Sequence, residues 1–128
     1  MDRTEKTVKR RLFLLFVLAI SGCTRVVDQT EVPGLYEFQL DNLKQQITVA
    51  GDGKYTNVFY RDGALIWSDQ GAWNYEREKR GVTFAQFRFG IPGHSSQPGY
   101  WFVVPEKTLT GVKQLCFDPD LYRCFKSG

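Results

Sequence analysis

The side chains that could do chemistry in this chain are few. His94 is the only histidine. It sits in an irregular Gly/Pro/Ser stretch, Gly90 to Gly99 (GIPGHSSQPG), beside Ser95 and Ser96. A serine nucleophile needs a histidine base and an acid to orient that base. Adjacent loop residues do not face one another in this way, so His94 reads as a solvated loop residue. Glu76 and Glu78 are spaced closely enough to suggest the paired carboxylates of glycosyl chemistry. They lie inside Glu76 to Arg80 (EREKR), which reads more simply as a charged turn closed by Gly81. Asp118-Pro119-Asp120 offers carboxylates to Ca²⁺ but lacks the further oxygen ligands that ion takes. Two cysteines and one histidine are too few soft ligands for a closed zinc site. The expectation is a protein with no catalytic residues, no metal and no cofactor.

The remaining reactive group is Cys23, and its setting is informative. Lys9-Arg10-Arg11 precede an apolar run, Leu12 to Ile20 (LFLLFVLAI), and the small residues Ser21-Gly22 follow it. A basic region, a short apolar region and small residues before a cut site form a secretory signal. The apolar run is far short of the ~20 residues that span a bilayer. Ile20-Ser21-Gly22-Cys23 resembles a lipobox, the cleavage motif of bacterial lipoproteins. The resemblance implies that Cys23 receives a diacylglycerol, that cleavage removes residues 1–22, and that the new amine is acylated. Several acyl chains together anchor durably where one does not. Thr24 stands where an Asp would favour inner-membrane retention, so the resemblance implies a cell-envelope protein on the outer membrane, facing the periplasm.

Export bears on the other cysteines. With Cys23 lipidated, Cys116 and Cys124 remain, and the periplasm permits disulfides. Asp118-Pro119-Asp120 is turn chemistry. A hairpin centred on residue 120 sets 116 directly opposite 124, so the spacing predicts a structural disulfide.

The leader holds five basic and two acidic side chains, the whole of the net charge of +3, so residues 23–128 are neutral overall. Nucleic-acid binding needs clustered Lys and Arg, and none is present. Of the 10 Phe, 6 Tyr and 3 Trp, only Phe13 and Phe16 lie in the leader, which points to a packed domain over 33–128 after a tether at 23–32. Leu35 to Leu40 alternates, with Tyr36, Phe38 and Leu40 on one face. Asp52-Gly53 and Asp62-Gly63 are two-residue hairpin turns. They predict the pairs Val49–Thr56, Ile47–Val58, Tyr60–Leu65 and Val58–Trp67. A third turn at Asp69-Gln70-Gly71 would pair Trp67 with Trp73 and Leu65 with Tyr75. One apolar face would then hold Ile47, Val49, Val58, Tyr60, Leu65 and Trp67. Val82 to Phe89 carries apolar residues on both parities. Tyr100 to Val104 (YWFVV) is an apolar strand ended by Pro105. The expectation is an all-β antiparallel meander of about eight strands, forming a small barrel or strongly curved sheet.

Gly34-Leu35-Tyr36 at the start of the meander is similar to the Gly-x-aromatic opening of lipocalin barrels, although the chain lacks their C-terminal helix. The whole resembles the small single-domain β lipoproteins of Gram-negative bacteria. It is also similar to the periplasmic lysozyme inhibitors, which share a lipobox, a small β-barrel and a cysteine near the C-terminus, but which link an early strand to the end. Two readings follow. One is a non-catalytic interaction or envelope-assembly module that binds an envelope protein through His94, Tyr100, Trp101 and Phe102. The other is a carrier of a small apolar ligand inside the barrel. A filled interior would exclude the carrier, and an apolar cavity of roughly 300 Å³ or more would favour it.

Overall fold

The computed structural model describes residues 25–92, 97–118 and 123–127. Cys23 and His94 lie outside them. The described residues form ten antiparallel strands: β1 (Arg25–Val26), β2 (Gly34–Leu40), β3 (Leu43–Val49), β4 (Lys54–Arg61), β5 (Ala64–Glu76), β6 (Gly81–Phe87), β7 (Gly99–Val103), β8 (Glu106–Lys107), β9 (Lys113–Asp118) and β10 (Arg123–Ser127). A 3₁₀ turn spans Gln29–Glu31. The sheet order is β1-β8-β9-β10-β2-β3-β4-β5-β6-β7. It is a meander from β2 to β7 whose last strands return beside β2. The sheet curls until β7 approaches β9, and β1 and β7 form its two edges. The expected all-β curved meander is the observed fold.

Local turn chemistry explains the strands well at some corners. Asp62 and Gly63 both have positive φ, at 53° and 76°. That is what a type I′ turn requires, and Tyr60 pairs with Leu65 as expected. Arg77 to Arg80 turns between β5 and β6, and Glu76 pairs with Gly81.

The Asp52-Gly53 corner differs by one residue. Ala50 donates its N–H to Lys54 O at 2.9 Å, so Gly51-Asp52-Gly53 is a three-residue loop with Gly53 at φ 87°. Val49 therefore faces Tyr55 and Ile47 faces Asn57. A slip of one residue moves every side chain of a strand to the other face. Tyr55, Asn57 and Phe59 are buried, and Val58 and Tyr60 look outward.

A bulge between Phe59 and Tyr60 then sets Phe59 opposite Trp67. Leu65, 59% exposed, is outside. Trp67, Trp73 and Tyr75 remain on the inner parity, by a different route from the one expected. No turn exists at Asp69-Gln70-Gly71, because β5 runs straight through. Gly71 serves close approach instead: a Cβ there would strike the Tyr55 ring at 2.6–2.7 Å.

The double parity of Val82 to Phe89 also has a cause. A bulge between Phe84 and Phe87, with Gln86 at φ 56°, lets Val82 and Phe84 point inward before it and Phe87 and Phe89 after it. All four are buried.

The interior is filled by rings. Phe38 meets Phe125 at 5.6 Å, Phe125 meets Phe117 at 5.7 Å, and Phe117 stacks on Phe87 at 5.1 Å. Phe87 then meets Phe89 at 4.9 Å, and Phe89 meets Trp101 at 4.7 Å. Tilted and edge-to-face pairs of this kind add to burial. Tyr36, Ile47, Val82, Phe84 and Leu115 close the core around them.

Residues 25–32, expected to be a tether, are packed instead. Val27 and Val32 are fully buried, and β1 pairs with β8. The carbonyls of this segment find donors in the barrel. Val27 O accepts from Tyr75 at 3.0 Å and Val32 O from Tyr36 at 2.6 Å. The Lys113 ammonium donates to Glu31 O at 2.6 Å and to Pro33 O at 2.8 Å. Burial lowers the Lys113 pKa. The Lys107 ammonium, 3.1 Å from the Glu31 carboxylate, holds that acid below its usual value.

Candidate functional site

Cys116 and Cys124 face each other across β9 and β10 with Cα atoms 4.1 Å apart, and a disulfide joins them. Leu115 and Phe125 on the opposite parity are buried, so the bridge lies on the outer face. It ties the last strand to β9.

Alternation divides Tyr100, Trp101 and Phe102. Trp101 points into the ring cluster, edge-on to Phe89 and to Phe117 at 6.5 Å. It is a core residue, so the surface expected to contain it does not. Tyr100, 70% exposed, and Phe102, 41% exposed, point out, and Val104 beyond them is also exposed. These three form an outward apolar ridge on an edge strand. The Lys79 ammonium stands 5.7 Å from the Phe102 ring, and the Phe102 ring covers the Gly81 backbone.

Sequence reasoning missed a polar assembly at the end of the barrel that holds the β2–β3 and β4–β5 turns. Gln45 and Asn57 are both fully buried. Gln45 donates to Asn57 Oδ1 at 2.7 Å and to Arg88 O at 3.0 Å, and Asn57 donates to Arg88 O at 2.9 Å. Gln45 Oε1 accepts the Gly90 N–H at 3.0 Å. Two buried amides thus satisfy the backbone where β6 gives way to the 88–98 connection, as buried polar groups must be satisfied. A Cβ at Gly90 would overlap the Phe59 ring. The one available signal was Asn57, which becomes an inward polar residue once the β3–β4 loop is read as three residues.

Arg88 completes this end. Its guanidinium makes two bonds to Asp69, at 2.7 and 3.1 Å. It also lies 4.0 Å over the Trp67 ring, which stacks on Phe59 at 5.5 Å. A cation on an indole face contributes about 0.5–2 kcal/mol. A hollow of about 670 Å³ beside it is lined by Ser68, Asp69, Gln70, Gln86, Arg88 and Pro98. The Tyr55 hydroxyl donates to Ala85 O at 2.5 Å. Burial, and then the Asp69 charge, push the Tyr55 phenol up to about 12.

These groups are engaged with one another. Arg88 is neutralised by Asp69, and the Tyr55 proton is committed to a carbonyl. Among the described residues no three His, Cys, Asp or Glu side chains gather in one place. Glu76 is paired with Lys79 across the turn at 3.6 Å, as a solvated charged turn would have it. No protein-family model, no curated protein and no solved structure matches this chain.

Proposed function

We propose that this chain is a lipid-anchored, periplasm-facing lipoprotein of the outer membrane that acts as a non-catalytic interaction module. Its working surface is the outward ridge Tyr100, Phe102 and Val104, and its partner is another envelope protein. The observation that carries the reading is the contrast between interior and ridge. The barrel is packed with rings, which favours surface recognition over carriage of an apolar ligand. Large apolar side chains stand exposed on a sheet edge, where a partner gains both side-chain burial and strand pairing. Tyrosine and phenylalanine are the residue types that anchor such contacts.

The anchor is the proposed acylation of Cys23. Cys23→Ser should leave an uncleaved or soluble form that no longer fractionates with membranes. The ridge is tested with a photo-crosslinking residue at Tyr100 or, as control, at Leu65, in the full chain within its own envelope. A discrete protein adduct from position 100 and none from 65 is expected. Identical patterns from the two positions would contradict the assignment of the ridge.

A further inference from the structure

The packed N-terminal segment fixes where the chain leaves the barrel. Val26 pairs with Glu106, and Val27 is buried and bonded to Tyr75. Only Thr24 and Arg25 separate Val26 from Cys23, so an extended chain reaches no more than about 11 Å. A domain on so short a lead lies against whatever holds Cys23.

The surface at that exit is a pocket of about 490 Å³ lined by Val26, Asp28, Gln29, Thr30, Tyr75, Arg77 and Arg80. Arg77 and Arg80 are exposed and belong to the β5–β6 turn. Lys79 is taken up by Glu76, whereas no carboxylate among the described residues pairs with either arginine. The other acids nearby are Glu78 within the turn and Asp28 on the pocket wall. Val26, 45% exposed, adds an apolar side chain to the rim. Two free guanidinium groups, one carboxylate and an apolar rim in one hollow match a phosphodiester, a neighbouring ammonium and the top of an acyl chain. Guanidinium groups bind phosphate with charge-assisted hydrogen bonds.

We infer that this pocket takes the headgroup of a membrane phospholipid bearing a phosphodiester and a primary ammonium, and so seats the domain on the bilayer that carries Cys23. The phosphate lies on Arg77 and Arg80 and the ammonium beside Asp28. This rests on the lipidation proposed above. It orients the molecule. The turn at Asp62-Gly63 stands at the other end of the 13-residue β5, whose length along the strand is roughly 40 Å. β7 runs from the Phe87 side at Gly99 back toward the pocket end, where the Phe102 ring lies 5.7 Å from the Lys79 ammonium.

The test uses the full chain, processed in cells, purified and reconstituted in vesicles of phosphatidylcholine alone or mixed with phosphatidylethanolamine or phosphatidylglycerol. A fluorophore is placed at Gly51→Cys, where added side-chain atoms meet open space beside the pocket end, or at Leu65→Cys. Nitroxide-labelled lipid reads proximity. The expected result is strong quenching at 51 and little at 65, greatest with phosphatidylethanolamine. In Arg77→Ala/Arg80→Ala the docked fraction should fall roughly fivefold or more while the protein still floats with the vesicles. Quenching that survives the double substitution, or is equal in all three lipids, overturns the inference and leaves lipidation standing. A mature protein with no acyl chain on Cys23 overturns the lipidation and the inference together.

Discussion

The two ends of the barrel are held by different means. At the end where the N-terminal segment meets the sheet, side chains far along the chain donate to its carbonyls: Tyr36 to Val32, Tyr75 to Val27, Lys113 to Glu31 and Pro33. At the other end, Gln45 and Asn57 bind the backbone of Arg88 and Gly90 from inside the core, and a disulfide ties β9 to β10 on the outside. The first device clamps a segment that adds two fully buried side chains, Val27 and Val32, to the core. The second holds down the start of the connection from β6 to β7. The clamp fixes the place where the chain enters the domain, which the proposed anchor at Cys23 would require.

The largest expected effect is at the distal end. Gln45→Leu removes three hydrogen bonds and strands the Gly90 N–H and part of the Arg88 carbonyl capacity in the core. A loss of about 2–4 kcal/mol in urea unfolding is expected, with faster amide exchange at 88–90 and unchanged exchange at 27–33. Equal loosening at both ends would mean that the two devices are not separate.

Replacing Cys116 and Cys124 with serine should cost roughly 2–3 kcal/mol, because the bridge closes a short loop. The effect should be on global stability, with the crosslinking pattern of the ridge unchanged.

Tyr36→Phe tests the other end. It removes the bond to Val32 O and should cost about 1 kcal/mol, more if that carbonyl stays dry. Exchange should quicken at 27–33 and not at 88–90, the reverse of Gln45→Leu.

Alkaline titration gives the finest test. Burial raises the Tyr36 and Tyr55 phenols from an ordinary 10.0 to about 12, with Asp69 adding to the effect on Tyr55. A folded-state value above the unfolded one means that this stabilisation is complete below pH 10 and is lost as pH rises from 10 to 12. Tyrosinate absorbance should therefore show two phenols that ionise near pH 12 in the folded protein, and Tyr36→Phe should show one.

Much of the fold was legible wherever chemistry acts over a few residues. The alternation of Leu35 to Leu40, the Asp62-Gly63 turn, the charged turn at 77–80 and the facing of Cys116 and Cys124 are all local. The β3–β4 corner failed because two-residue and three-residue loops share Asp-Gly, and one residue inverts Val58 and Tyr60 against Tyr55, Asn57 and Phe59. Gly71 failed because a glycine that admits the Tyr55 ring looks like a glycine that turns. The bulge at Gln86 was visible only as apolar residues on both parities. The clamp on residues 27–33 was invisible, since its donors stand 4 to 82 residues away. Of the expected surface, Tyr100 and Phe102 point outward and Trp101 points in, a choice that the inward Val103 and the bulged partner strand decide.

We propose that this protein meets the membrane at Cys23. Intact-mass spectrometry of the full chain, expressed in a Gram-negative cell and extracted from the membrane fraction, tests it most directly. The expected product begins at Cys23, carries acyl chains on that residue, and has Cys116 and Cys124 oxidised. A product that still carries residues 1–22, or one that begins at or near Cys23 without acyl chains, would contradict it.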